Sequence, residues 1–168
     1  MKKLLFVFLM FISCTNKQAD IKSSWKNLYY SYANMLQEEE GLRLKAYRCS
    51  EKALTIGYGH KLLKGEKRTI SKEQAEQLFY SDYDKAIQNV YEIFPEVNDE
   101  TLFKLAVLSS QVGDSGFAEF KDFIKAVKFA QNNDNPDCKM YIYLALKNSK
   151  WAKQCPDRAN RYIERWAI

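Results

Sequence analysis

The sequence predicts an α+β fold that is mostly α-helical, with a small strand-containing lobe near the N-terminus followed by a helical body. Six segments place apolar side chains at the three- and four-residue spacing of helices that bury one face. One stretch, 44–60, instead has short β-branched and aromatic runs broken by glycines, which is typical of short strands. The 168 residues are 46% hydrophobic, which suffices for one domain with a sizeable core.

The segment 1–13 is predicted to be a signal peptide. Lys2 and Lys3 precede nine uninterrupted apolar residues, Leu4–Ile12. As a helix, nine residues span about 13 Å, which is too short for a bilayer core of about 30 Å. A basic start followed by a short apolar run is the secretory pattern.

The residues after this run resemble a bacterial lipoprotein signal, because Ser13 is followed by Cys14. In such signals the chain is cut before the cysteine and a lipid is attached to its sulfur. Plain secretion and a retained anchor are the alternatives, and all three place the protein outside the cytoplasm, where disulfides are allowed. We expect 14–22 to be a polar tether and 23–168 to be one domain.

The elements of the domain are predicted from their apolar spacing and their end signals. Apolar residues from Trp25 to Leu36 indicate a helix over 22–38, which ends before Gly41. The strands of 44–60 follow, and then a basic, turn-like segment over 61–70.

A capping box at Ser71 begins a helix over 72–93. The next helix, over 99–112, is apolar on most sides and is therefore predicted to be central and buried. The remaining predicted helices are 119–131, 137–148 and 156–166.

Charge and composition limit the partners. The formal net charge of +5 favours acidic partners without choosing among them. The basic residues are scattered and no nucleic-acid recognition motif is present, so we expect no nucleic-acid partner. The single histidine, His60, excludes any site that needs two imidazoles. We expect a monomer that needs no cofactor and no metal.

The stretch from Glu40 to His60 reads EGLRLKAYRCSEKALTIGYGH. It resembles the catalytic signature of the phage-type lysozymes, the endolysin family of glycoside hydrolases, and within it the T-even type. That signature is a Glu, eight residues, an Asp or sometimes a Cys, five residues and a Thr, and Glu40, Cys49 and Thr55 fit this spacing. Three later stretches also resemble the family, so the resemblance covers about 38–162: ISKEQAEQLFYSDYDKAI, SQVGDSGFAEF and SKWAKQCPDRANR.

The resemblance implies a lysozyme-like fold with the active-site cleft between the two lobes. It also implies hydrolysis of the β-1,4 bond between N-acetylmuramic acid and N-acetylglucosamine in peptidoglycan. Glu40 would be the general acid, with a pKa raised by partial burial. Cys49 and Thr55 would place the attacking water, and Arg158 would position the Glu40 carboxyl.

Supporting roles are implied for five further residues. Tyr58, Gln111 and Trp151 are candidate substrate-binding residues. His60 and Asp82 match a structural ion pair between the small lobe and the long inter-lobe helix, so the only histidine is not expected to be catalytic.

Two departures keep a rival function open. Cys49 replaces the commoner Asp, and a thiol with a pKa near 8.5 is mostly protonated at pH 7. Lys52 replaces a turn glycine. Both departures favour a non-catalytic peptidoglycan-binding lipoprotein built on the same fold. A transglycosylase is a second rival.

Two cysteines remain outside the signature. Cys138 and Cys155 are seventeen residues apart, and in an oxidising compartment we expect them to form a disulfide. The competing pairing would use Cys49.

Overall fold

The computed structural model describes residues 16–48, 53–133, 135 and 137–166. The predicted signal peptide and three residues discussed above therefore lie outside the described residues: Cys14, Cys49 and Lys52.

The N-terminal lobe is a three-stranded antiparallel sheet that follows a long first helix. Helix α1 spans Asn16–Glu40 and is followed by strands β1 (Arg43–Arg48), β2 (Leu54–Gly57) and β3 (His60–Lys61). The strand order is β1-β2-β3, so β2 is central. Thr55 of β2 is paired with Tyr47 on one side and with Lys61 on the other.

The rest of the described chain is helical. The helices are α2 (Lys72–Ile93), α3 (Asp99–Val112), α4 (Asp114–Ala118), α5 (Lys121–Gln131), α6 (Cys138–Lys147), α7 (Lys150–Gln154) and α8 (Pro156–Trp166).

The starts of α2 and α3 lie where the sequence predicts them because both are capped. The Ser71 hydroxyl accepts from the Gln74 amide at 3.2 Å, and the Gln74 side chain accepts from the Ser71 amide at 3.0 Å. Asn98 accepts from the Thr101 amide at 2.9 Å.

One hydrophobic core lies in the helical body, with α3 at its centre as predicted. Phe103, Ala106 and Leu108 of α3 are completely buried. Tyr32 and Leu36 of α1 pack into the same core, which fixes the C-terminal end of α1 against the body. The described residues are mostly helical and form one small sheet, which confirms the predicted α+β fold.

Three features differ from the predictions. Helix α1 begins at Asn16 and runs through the predicted tether, because no proline or glycine interrupts that segment. The short helices α4 and α7 are additional, since five residues are too few to show a helical period.

The predicted disulfide is absent, since Cys138 and Cys155 are both free thiols. The Cys138 thiol lies 3.7 Å from the carbonyl of Asn133, in the segment before its own helix. Cys155 follows the last residue of α7 and packs against the main core. The two sulfurs therefore have different surroundings.

Candidate active site

A cleft of about 480 Å³ lies between the sheet and the helical body. The end of α1, strands β2 and β3, and helices α2, α3 and α8 all contribute to its walls. Seven of the residues predicted from the sequence line this cleft: Glu40, Thr55, Tyr58, His60, Asp82, Gln111 and Arg158.

Glu40 is the last residue of α1, and its side chain is only 19% exposed. Burial raises the pKa of its carboxyl above the usual range. Arg158, whose Nη1 lies 3.7 Å from Glu40 Oε1, lowers this pKa, and the charge of Glu39 raises it. The net effect is a raised pKa, so the carboxyl keeps its proton to a higher pH than an exposed glutamic acid does.

A glycine allows the Glu40 carboxyl to lie against the sheet. A Cβ atom added to Gly59 would lie 3.3 Å from Glu40 Oε2. Gly59 also has a φ of +90°, which L side chains rarely adopt. The bare backbone at this position therefore makes room for the carboxyl.

Thr55 lies at the buried centre of the sheet and faces the cleft. Its hydroxyl donates to the Ala53 carbonyl at 3.4 Å. A hydroxyl has two acceptor lone pairs in addition to its donor, so Oγ1 is able to accept a hydrogen bond from a water in the cleft.

Gln111, in the last turn of α3, is joined to the end of α1. Its Nε2 donates to Glu39 Oε2 at 2.9 Å, across a sequence separation of 72 residues. Among the described residues, its Oε1 is buried and has no hydrogen-bond partner. The sequence does not predict this role of Glu39, because an acidic run at a helix end is ordinarily a solvated surface.

His60 connects the sheet to α2. Its Nδ1 lies 2.6 Å from Asp82 Oδ2, and Lys85 lies 3.4 Å from the other oxygen of Asp82. A further partner of His60, not predicted from the sequence, is Glu66. Its carboxylate lies 3.2 Å from His60 Nε2 and accepts from the Leu63 amide at 2.7 Å. The contact with Leu63 holds the pKa of Glu66 below its usual range, and His60 lowers it further.

Tyr58 and Trp151 have different environments. Tyr58 lines the cleft and packs its ring against Phe79 at 5.5 Å. Trp151 is 9% exposed and packs between Phe120 and Tyr162 in the core, with ring centroids 6.2 and 6.3 Å apart. The structure therefore places Trp151 in the core, where it does not line the cleft.

The described residues contain no group of three or more His, Cys, Asp or Glu side chains that could hold a metal ion.

The sequence is similar to proteins of one family. The family described as Phage lysozyme matches residues 37–139. The chain is 28% identical over an alignment of 165 residues to "Probable T4-type lysozyme 2" of Dictyostelium discoideum. The alignment covers 79% of this chain and 91% of that protein.

Two phage proteins are also similar. "Peptidoglycan hydrolase gp36" of Pseudomonas phage phiKMV is 28% identical over an alignment of 144 residues, and the alignment covers 82% of this chain and 15% of that protein. "Pre-baseplate central spike protein Gp5" of Enterobacteria phage T4 is 28% identical over an alignment of 159 residues, and the alignment covers 78% of this chain and 26% of that protein. The chain thus spans a small part of both phage proteins. Because the family match covers more than half of its residues, the chain belongs to the phage lysozyme family, a family of glycoside hydrolases.

Proposed function

We propose that the chain is a lysozyme, an N-acetylmuramidase that hydrolyses the β-1,4 bond between N-acetylmuramic acid and N-acetylglucosamine in peptidoglycan. The observation that carries the proposal is Glu40, a mostly buried carboxyl with a raised pKa that lines the cleft between the sheet and the helical body. A raised pKa lets a carboxylic acid keep its proton to a higher pH, which favours protonation of a glycosidic oxygen. The names of the relatives gp36 and T4-type lysozyme 2 agree with this substrate.

In the proposed reaction, Glu40 gives its proton to the glycosidic oxygen as the bond to the anomeric carbon breaks. A water held by Thr55 and Cys49 adds to that carbon and releases a proton to the solvent. Arg158, 3.7 Å from the Glu40 carboxyl, stabilises the carboxylate that remains after the transfer. Tyr58 and Gln111 are proposed to contact the sugars, since both line the cleft.

The first test is lysis of purified peptidoglycan by the full-length chain and by Glu40→Gln. The amide has nearly the shape of the acid and cannot donate a proton, so we expect a loss of at least about 100-fold. The matched control is Glu38→Gln, the same change two residues earlier in an exposed side chain. Full activity of Glu40→Gln would overturn the assignment of the acid.

The same assay separates the rival functions. A wild-type chain that sediments with peptidoglycan without cutting it would be the non-catalytic binding lipoprotein that Cys49 and Lys52 favour. A wild-type chain that leaves an anhydro end on its products, detected by mass spectrometry, would be a transglycosylase.

The role of Cys49 is tested by two substitutions. Cys49→Ser should lower the rate sharply, because a hydroxyl ionises far less readily than a thiol. Cys49→Asp should preserve or raise the rate, since an aspartate is ionised at pH 7 and can orient water. Equal rates of wild type, Cys49→Ser and Cys49→Asp would reduce the residue to a packing role.

We also propose that the protein is an exported monomer with a lipid on Cys14. The proposal rests on the sequence of 1–14. In the part of the chain that the structure describes, no helix is both long and apolar enough to cross a membrane. Mass analysis of the mature N-terminal peptide, with Cys14→Ser as the control, tests the lipid. An unmodified Cys14 would leave plain secretion or a retained anchor.

A further inference from the structure

The end of α1 carries three consecutive carboxyl groups in an unfavourable position for anions. Glu38, Glu39 and Glu40 are its last residues, and its last turn contains no basic residue. The carbonyl groups at the C-terminal end of a helix carry partial negative charge, which destabilises anions there. The helix end therefore does not offset the negative charge of this acidic run.

Within this acidic run, Glu39 is fixed by a contact from another helix. Gln111 of α3 donates to Glu39 Oε2 at 2.9 Å, and Gln111 itself lines the cleft. An exposed glutamate ordinarily samples several rotamers, so a bond from a packed helix keeps this charge at one place beside Glu40. The other two carboxyls of the run differ, because Glu38 is exposed and Glu40 faces the cleft.

The charged groups that face Glu40 come from several elements. Among the described residues, Arg158 of α8 is the cation that lies within 4 Å of its carboxyl. From the sheet, the backbone of Gly59, which has no side chain, lies next to the Glu40 carboxyl. Strand β3 also contributes the basic residue Lys61 to the lining of the cleft. The remaining charged lining groups are His60, Asp82 and Lys85, which contact one another through Asp82.

We propose that Glu39 is a positioning residue: held by Gln111 beside Glu40, its negative charge counteracts Arg158 and preserves the proton that Glu40 donates. This inference rests on the proposed lysozyme function. It is supported by the directions of three effects on the pKa of Glu40, in which burial raises it, Arg158 lowers it and Glu39 raises it. Arg158 can then hold the carboxyl in place without removing its proton.

The test is the pH–rate profile of the full-length chain and of Glu39→Gln, which removes the charge and keeps a side chain able to bond to Gln111. On the alkaline side of the optimum we expect a loss of roughly two- to fourfold relative to wild type, as for one charge near the protein surface. The rate on the acidic side of the optimum should stay unchanged, and so should KM. Glu39→Asp, which restores the charge, should recover most of the lost rate.

The matched control is Glu38→Gln, which makes the same change in net charge without touching the fixed residue. It should leave the profile within experimental error of wild type. Equal shifts for Glu38→Gln and Glu39→Gln would overturn the inference, because the effect would then belong to net charge alone. A Glu39→Gln profile that is unchanged would overturn it as well.

A second measurement does not need activity. The side-chain carboxyl of Glu40, labelled with ¹³C, can be titrated by NMR in the wild type and in Glu39→Gln, with unfolding curves to confirm that both are folded. A lower midpoint in Glu39→Gln supports the inference even if the wild type cuts no peptidoglycan, and that inactivity would refute the proposed function alone. An unmoved midpoint refutes the inference even in an active enzyme.

Discussion

A methyl group added at Gly59 would press directly on the proposed catalytic carboxyl. In Gly59→Ala the new Cβ lies 3.3 Å from Glu40 Oε2 and 3.7 Å from Glu40 Cδ. That separation is shorter than ordinary contact, so the carboxyl must move by roughly 0.3 Å to restore normal packing. A misplacement of 1 Å at a reacting group can cost about 100-fold in rate, so a shift of this size should cost on the order of fivefold.

The same substitution also strains the backbone. Gly59 has a φ of +90°, and an alanine held in the left-handed region costs roughly 1–2 kcal/mol. For a chain of this length each kcal/mol lowers the Tm by about 2–4 °C, so we expect a drop of roughly 2–8 °C. Thermal unfolding by circular dichroism and initial rates on purified peptidoglycan measure the two effects separately.

Gly65→Ala is the matched control for the strain. Gly65 has a φ of +98°, and a Cβ added there meets nothing within 4 Å. Its stability should fall by a similar amount while its rate at 25 °C stays at the wild-type value. The reasoning is refuted if Gly65→Ala lowers the rate as much as Gly59→Ala does, or if Gly59→Ala cuts peptidoglycan at the wild-type rate.

Three further substitutions test the stability of the fold: one should raise it at pH 7, one should lower it, and one should lower the Tm without changing KM. Glu40→Gln should be more stable than wild type at pH 7, because the raised pKa means that an ionised Glu40 opposes folding. Unfolding curves should show no such gain below about pH 4.5, because Glu40 is then protonated in both the folded and the unfolded protein. Glu66→Gln should be less stable than wild type above pH 4.5, since the lowered pKa means that ionised Glu66 favours folding through Leu63 and His60. The difference should disappear as the pH falls below 4.5 through the lowered pKa of folded Glu66. Trp151→Phe should lower the Tm and leave KM unchanged, because the Trp151 ring packs in the core. A raised KM with an unchanged Tm would instead show that Trp151 contacts the substrate.

The sequence predicted most closely those elements that have both a period and an end signal. The bounds of α2 and α3 match their predicted ranges: Ser71 makes the capping box that the pattern indicates, and Asn98 caps the start of α3. The start of α1 was predicted six residues late, because the polar composition of its first turns resembles a linker. Propensity over the whole segment was the better guide there, since nothing in it breaks a helix.

The site was predicted unevenly for a physical reason. Residues in the Glu-Cys-Thr signature have a fixed spacing, and the structure brings Glu40 and Thr55 to one cleft. Trp151 has no such constraint, since an aromatic side chain near a cleft and one in the core give the same pattern. The contacts of Gln111 with Glu39 and of Glu66 with His60 join residues whose pairing depends on how the chain folds back, which spacing along the sequence does not specify.

The uninterrupted helix from Asn16 to Glu40 sets the distance between the N-terminal end of α1 and the cleft. Its 25 residues extend for about 37 Å, and its C-terminal end is packed in the same core as the walls of the cleft. If Cys14 carries the proposed lipid, helix α1 would hold the cleft within about 40 Å of the bilayer surface. The glycosidic bond would then be cut within that distance of the membrane. An anchored molecule would then cut only glycan strands in the layer next to its own membrane, and a released one would have no such limit.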